Sequence, residues 1–361
     1  MFGWGISLLS LGAMAYLAWR LAGLPWLTRS ISPRWVWIVC GILWALLALG
    51  RFLGHDASFP GASTLEQIGM SLLGILFLCL LAVLLVDLCT GFGLWTKAHR
   101  ANLFGFAFVG GLGLSIFAAI QGISAPEVVT YEVKLPGLPR ERDGLKMVAL
   151  SDLHLGATLG PRWLEARIAE VQALKPDVIV LLGDVFEGHG NPAPETLRML
   201  QRLQAPFGVW GVNGNHERHG SGPSPLEQAG VKVLLDAMAE PVPGLWLAGR
   251  TQTSAHGREV HDSTWVPPAP RAKGGLVLLS HVPLQAKEAA ASGVGLMLSG
   301  HTHGGQIWPF GYVVRTTFPV VAGTTRIDGM TLIVHRGTGT WGPRMRLWRR
   351  GEIGLIRLKA M

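Results

Sequence analysis

Apolar positions fall into two regimes along this chain. From Met1 to Ser124 they run almost unbroken, in stretches over Phe2–Leu24, Trp35–Leu53, Ile68–Trp95 and Leu103–Ile123. A hydrocarbon core of ~30 Å needs about 20 apolar residues at the 1.5 Å rise of a helix, and each stretch approaches or exceeds that length. The pattern predicts four membrane-spanning helices, with Trp26, Trp35, Trp37 and Trp95 near their ends, where indole rings favour the headgroup layer. The first stretch reads as a retained helix rather than a signal peptide. It lacks a basic leading segment, its apolar run is too long, and no small-x-small cleavage site closes it.

Beyond Ser124 short apolar runs alternate with amphipathic ones. Strands are expected over Leu145–Ser151, Asp177–Gly183, Gly208–Asn213, Leu245–Gly249, Gly275–Ser280, Gly295–Ser299, Thr331–Gly337 and Ile353–Leu358, with a further one over Val128–Leu135. Helices are expected over Pro161–Ala173, which opens on proline, and Pro194–Leu203. Such alternation predicts a layered α/β fold in which helices cover sheet. Arg250–Lys273, with its Ser, His, Gly and Pro residues, reads as a surface excursion whose His256 and His261 are solvated. Two domains result: a transmembrane anchor over 1–124 and a soluble domain over 125–361.

Charge sharpens the division. The first 124 residues hold six basic and three acidic side chains, and the remaining 237 hold 25 basic and 20 acidic. Arg29 and Arg34 lie in one short interhelical loop and Lys97 and Arg100 in another, so both loops are expected on the cytoplasmic side. The loop His55–Gln67 carries Asp56 and Glu66 and no Lys or Arg, which puts it on the opposite side; Arg51 alone argues the other way. Four spans then leave everything after Ser124 outside the cytoplasm, periplasmic or lumenal, as in a bacterial inner-membrane protein with a periplasmic soluble domain. Cys40, Cys79 and Cys89 all fall within the spans, so the exported part has no thiol. Arg20 and Asp87 are costly in lipid and are expected either to form a structural ion pair or to snorkel, rather than to mark an ion pathway. Spans this poor in polar residues make an anchor rather than a transporter.

Candidate chemistry gathers where the predicted strands stop. The first ends in Ser151-Asp152-Leu153-His154, the second in Gly183-Asp184, and the third in Gly214-Asn215-His216-Glu217. Later ones end in Ser280-His281 and Gly300-His301-Thr302-His303-Gly304-Gly305. Open α/β sheets build their sites just beyond the carboxyl ends of strands. Any one of these pieces occurs by chance, but five in succession at strand ends do not. Asp, His and Asn supply the mixed oxygen and nitrogen donors that suit first-row divalent ions, and without Cys a thiolate site is excluded.

In this order the residues resemble the calcineurin-like metallophosphoesterases, through D-x-H, G-D, G-N-H-E, an isolated His and G-H-x-H over about Leu145 to Leu358. The run Leu298 to Gln306, with Gly337-Thr338-Gly339 and Pro343-Arg344-Met345-Arg346, is similar to a bacterial subgroup of membrane-linked or exported phosphodiesterases of the YkuE and YaeI type. The resemblance implies a four-layer α/β/β/α sandwich preceded by the four-helix transmembrane region. It implies two divalent ions, Mn, Fe, Zn or Co, one held by Asp152, His154, Asp184 and His303 and the other by Asp184, Asn215, His281 and His301, with Asp184 bridging. It further implies hydrolysis by metal-activated water with His216 as general acid. Glu217 is expected to orient a ligand histidine, and His335 to be a satisfied core residue. His189, Arg218 and His219 are either substrate-facing or solvated.

The function expected is hydrolysis of a phosphodiester or pyrophosphate bond, with an amphiphilic phosphate ester as substrate, membrane lipid as partner and no nucleic acid. About 20 residues separate Ile123 from Leu145, a reach of only ~25 Å if unstructured, which keeps the catalytic domain near the membrane. Trp308 and Phe310 follow the Gly300–Gly305 loop, and Trp341 stands between Gly339 and Pro343, where aromatics could hold an acyl or nucleobase group, dip into the interface, or simply pack. A phosphomonoesterase, a nucleotide phosphodiesterase acting on soluble substrates, and a non-catalytic membrane signalling or binding protein stay open as alternatives.

Overall fold

The computed structural model describes residues 2–361 apart from 55–58, 93, 95–98, 157, 188–191, 218–223, 256–258, 269, 271 and 272. Trp95, Lys97, His189, Arg218, His219 and His256 therefore lie outside the described residues. The chain divides into two compact units, Met1–Ser124 with Gly342–Trp348, and Ala125–Trp341 with Arg349–Met361.

The first unit contains α1 (Phe2–Ala22), a single turn α2 (Pro25–Thr28), α3 (Pro33–Leu49) continuing into a π-helical turn at Gly50–Gly54, α4 (Ala62–Cys89) and α5 (Arg100–Ile123). Four of these helices are long and apolar enough to cross a membrane. The apolar pattern locates the third at 68–95, whereas α4 begins and ends six residues earlier. Its first turns run through polar Ser63, Thr64, Glu66 and Gln67, and Glu66 is buried rather than looped out. At the other end Gly91 and Phe92 turn left-handed and the Phe92 N–H reaches back to the Asp87 carbonyl at 2.7 Å, a termination that hydropathy does not register. Arg20 of α1 and Asp87 of α4 do pair, at 3.0 and 2.5 Å, with both side chains buried. The Arg20 guanidinium also lies over the Trp19 and Phe104 rings, 4.3 and 4.5 Å from their centroids. Gly342–Trp348 packs with α4 and α5: the Met345 sulfur lies against Gly74 and the Arg344 carbonyl against Gly122. The Arg346 N–H donates to the Ala118 carbonyl at 2.9 Å, and the Trp348 and Phe117 rings are 5.9 Å apart.

The second unit begins with β1 (Glu127–Lys134), β2 (Leu145–Leu150), α6 (Pro161–Ala173), β3 (Val178–Leu181), α7 (Pro194–Leu200), β4 (Val209–Gly211), α8 (Pro225–Gln228), β5 (Lys232–Val233) and β6 (Ala237–Val242). It continues with β7 (Leu245–Gly249), β8 (Gln252–Ala255), β9 (Glu259–Asp262), β10 (Gly275–Leu279), α9 (Ala286–Ala291), β11 (Leu296–Ser299), α10 (Phe310–Arg315), β12 (Gly323–Ile327), β13 (Met330–Val334) and β14 (Glu352–Lys359). One six-stranded sheet has the order β1-β14-β2-β3-β4-β5 and the other β12-β13-β11-β10-β7-β6. Within them β2 through β5 run parallel, as do β7, β10, β11 and β13.

Alternation along the strands explains the layering. In β2, Met147 and Ala149 face a core shared with Leu247 of β7, Val277 of β10 and Leu298 of β11. Val148 and Leu150 point the other way, onto Leu164, Ile168 and Val171 of α6. Across the second sheet Leu276, Leu278 and Met297 meet Ala289 of α9. Strands buried on both faces read as continuous apolar runs, and two such sheets with helices outside give the α/β/β/α arrangement. Within the Arg250–Lys273 stretch, β8 and β9 pair antiparallel. Arg250 itself is fully buried, donating to the carbonyls of Trp265 at 3.2 Å and Leu284 at 3.0 Å.

Candidate metal centre

Each candidate site residue follows the carboxyl end of a parallel strand: Asp152 and His154 after β2, Asp184 after β3, Asn215 and the expected general acid His216 after β4, His281 after β10, His301 and His303 after β11. Because β2, β3 and β4 belong to one sheet and β10 and β11 to the other, the centre is completed only when the sheets pack. The local backbone is unusual. Asp152, His154, Asp184, His301 and His303 all have φ between 47° and 70°, a left-handed conformation that non-glycine residues adopt rarely and that clusters where function requires it. Close approach of the two strand ends needs Gly300, where a Cβ would lie 2.6 Å from an Asp152 carboxylate oxygen. The His301 N–H instead donates to both Asp152 oxygens at 3.1 Å.

The donor atoms converge. His281 Nε2 is 3.2 Å from Asp184 Oδ2, and His301 Nδ1 is 3.2 Å from His281 Nε2. On the other side His154 Nε2 is 3.0 Å from His303 Nε2, which is 3.4 Å from Asp152 Oδ1, while His154 Nε2 is 4.0 Å from Asp184 Oδ2. Among the described residues three groups have mutually close donor atoms: Asp152, His154 and His303; Asp184, His281 and His301; and His154, Asp184 and His216. Bonds of ~2.0–2.2 Å to a shared ion would separate neighbouring ligand atoms by about 3 Å, so these spacings fit the grip of a divalent cation. The tautomers fit as well. His281 Nδ1 donates to the Leu182 carbonyl at 2.6 Å and His154 Nδ1 faces the Glu187 carboxylate, which leaves both Nε2 atoms as the positions a cation would take in place of a proton. Asn215 Oδ1 is buried with no hydrogen-bond partner among the described residues, as a carbonyl reserved for a cation would be.

Electrostatics describe the same demand for positive charge. Burial alone would raise the Asp184 carboxyl, but His281, His216 and His154 outweigh it and hold the group well below the carboxylate range. Burial likewise opposes protonation of His281, and there the Asp184 and Asp152 carboxylates win, taking it up to about 10. His301 goes the other way, down to about 4, through burial and then repulsion from His281.

Two residues differ from their expected roles or were not anticipated. The Glu217 carboxylate accepts from the backbone N–H groups of Asp184, Val185, Phe186 and Gly214 at 2.8, 2.6, 3.1 and 2.6 Å. It therefore ties the β3 and β4 loops together rather than orienting a histidine, because four N–H donors leave its oxygens occupied. Histidine orientation falls instead to Glu187, which the sequence reading did not single out. It contacts His154 Nδ1 and stands 3.4 Å from His216 Nδ1. The signal for it was a carboxylate three residues beyond Asp184. His335 is buried and its Nδ1 accepts from the Gly337 N–H at 3.0 Å, as a core histidine should.

Residues 145–305 match the model of the calcineurin-like phosphoesterase family. An uncharacterized metallophosphoesterase of Aquifex aeolicus is 32% identical over 240 residues, covering 64% of this chain and 91% of the relative. The chain belongs to the calcineurin-like metallophosphoesterases. The uncharacterized metallophosphoesterase YkuE of Bacillus subtilis is 30% identical over 258 residues, 65% of this chain and 86% of that protein. A transmembrane protein with metallophosphoesterase domain from Bos taurus is 32% identical over 272 residues, 68% of this chain and 60% of the relative. The chain thus spans about 60% of the length of its transmembrane relatives.

Proposed function

We propose that the protein is a membrane-anchored, metal-dependent phosphoesterase cleaving a phosphodiester or pyrophosphate bond in an amphiphilic substrate, with its catalytic unit outside the cytoplasm. The observation that carries this reading is the gathering of Asp152, His154, Asp184, His281, His301 and His303 from both sheets into adjoining donor groups. Asp152, His154, Asp184 and His303 would hold one divalent ion and Asp184, Asn215, His281 and His301 a second. Asp184 would be shared, since one carboxylate between two cations offsets their repulsion. Bound there, such ions supply Lewis-acid charge for the phosphoryl oxygens and activate water as a nucleophile. His216 is the proton donor for the leaving oxygen in this reading. It is more exposed than the neighbouring His154, with 22% of its side chain accessible against 1%, and Glu187 holds its Nδ1 side. The apolar helices and the transmembrane relatives support the anchor, and the basic interhelical loops support the orientation.

The test uses purified full-length protein loaded metal by metal and assayed on phosphomonoesters, diesters and nucleotide-linked lipids. His216→Ala is expected to retain metal while turnover falls about 10²- to 10⁴-fold, the span of a lost general acid. Asp184→Asn is expected to lose metal and activity together. Loss of metal from the His216 variant would make that residue a ligand and remove the assignment.

A further inference from the structure

Helix α10 has no buried residue, although four of its six residues are apolar or aromatic. Phe310 is 48%, Tyr312 66% and Val313 57% exposed, and Trp308 just before the helix is 45% exposed. The helix is fixed to the metal loop, because Gly311 packs on Gly305. The same loop is fixed to Trp341. The Gln306 side chain donates to the Trp341 carbonyl at 2.9 Å and accepts from the Trp341 N–H at 3.0 Å. Trp341 is 46% exposed, so the aromatic surface continues across Gln306. A soluble protein seldom leaves so many large apolar side chains together in water, and such a patch marks a binding surface.

We infer that Trp308, Phe310, Tyr312, Val313 and Trp341 form a lipid-interface surface, seated in the headgroup region of the bilayer that holds the apolar helices. Two observations choose this occupant. The first is composition: Trp and Tyr beside an exposed Arg315 are the side chains that partition to membrane interfaces, with apolar bodies and polar or charged ends. The second is continuity. Trp341 is one peptide bond from Gly342, the first residue of the segment that packs with α4 and α5, and Trp348, the last of that segment, is 54% exposed beside Phe117 of α5. Indoles thus mark both ends of a segment embedded among membrane-length helices. The His301 and His303 loop lies only a few residues before the patch, so seating it would bring the rim of the metal centre to the depth of lipid phosphates. That consequence rests on the proposed phosphoesterase reading; the lipid contact itself does not.

The test places an environment-sensitive fluorophore on Tyr312→Cys or Val313→Cys in the full chain. Cys89→Ser removes the exposed native thiol, and buried Cys40 and Cys79 stay in place. The protein is reconstituted in nanodiscs of phosphatidylethanolamine and phosphatidylglycerol, with Lys287→Cys on α9 as the aqueous control. The expected result is a blue-shifted emission at 312 and 313, quenched by nitroxide-bearing lipid, with neither effect at 287. Equal aqueous exposure at all three sites would overturn the inference. So would shielding at 312 and 313 that develops only on adding an amphiphilic phosphate, which would transfer the patch to the substrate. Because the readout needs no turnover, lipid-quenched labels on an inactive protein would refute the enzymatic reading and leave this one standing.

Discussion

Gly214 offers a sharp perturbation of the centre. A methyl group there would overlap the Asp184 Oδ1 oxygen and stand 2.5 Å from the Asp184 backbone nitrogen, closer than the 3.0 Å that Cβ atoms respect. The side chain could rotate away, but the backbone nitrogen cannot. It is held by Glu217 at 2.8 Å, and the same Glu217 carboxylate also binds the Gly214 N–H at 2.6 Å. Relief therefore requires the β3 and β4 loops to part by at least about half an ångström, against the carboxylate that joins them. Overpacking of this kind costs about 1–3 kcal/mol, and a misplacement approaching 1 Å lowers rates by about 10²-fold. For Gly214→Ala we expect a folded protein with a lower melting temperature, reduced metal content, and turnover down by about tenfold to a hundredfold. Gly160→Ala is the control, because no atom lies within 4 Å of its Cβ position and its φ of −91° suits any residue. The assays are metal analysis, thermal unfolding and hydrolysis of a soluble phosphodiester. Full metal occupancy and normal turnover in Gly214→Ala would refute the claim that the interloop distance holds Asp184 in position.

Glu187→Gln keeps the shape but removes the charge beside His154 and His216, and metal affinity should fall about 10- to 100-fold in competition with a chromophoric chelator. Asp87→Ala should destabilise the helical unit by about 3–5 kcal/mol in a denaturant titration, because Arg20 is left buried without its carboxylate. Exchanging the two charges should recover part of the loss, and no recovery would mean that Arg20 depends on Asp87 for more than charge. A reporter active only outside the cytoplasm should be on when fused after Met361 and off within Thr96–Ala101, and the reverse pattern would invert the topology while leaving the chemistry untouched.

Local pattern determined much of this molecule. Apolar run length marked all four long helices, and proline at a first turn helped locate α6 over the same residues, Pro161–Ala173, that the pattern marks. Double-faced apolar runs located the central parallel strands, because a strand buried on both sides reads as a continuous apolar run too short for a helix and closed by turn residues. Edge strands were harder: β12, with its half-exposed alternation, and β6, which carries Pro241 and an irregular register, lack such a run. The candidate ligands were legible because strand-end motifs are local in sequence. What joined them was not. The meeting of His281 and His301 with Asp184 depends on two sheets packing face to face across a shared core. Glu217 found four backbone donors and Glu187 two imidazoles only after the β2, β3 and β4 loops closed. Gly342–Trp348 packs with helices more than 200 residues earlier, and no periodicity in seven residues encodes that. Sequence specifies which side chains carry the chemistry, while tertiary packing sets the distances at which they act, because each of those distances spans elements that are remote along the chain.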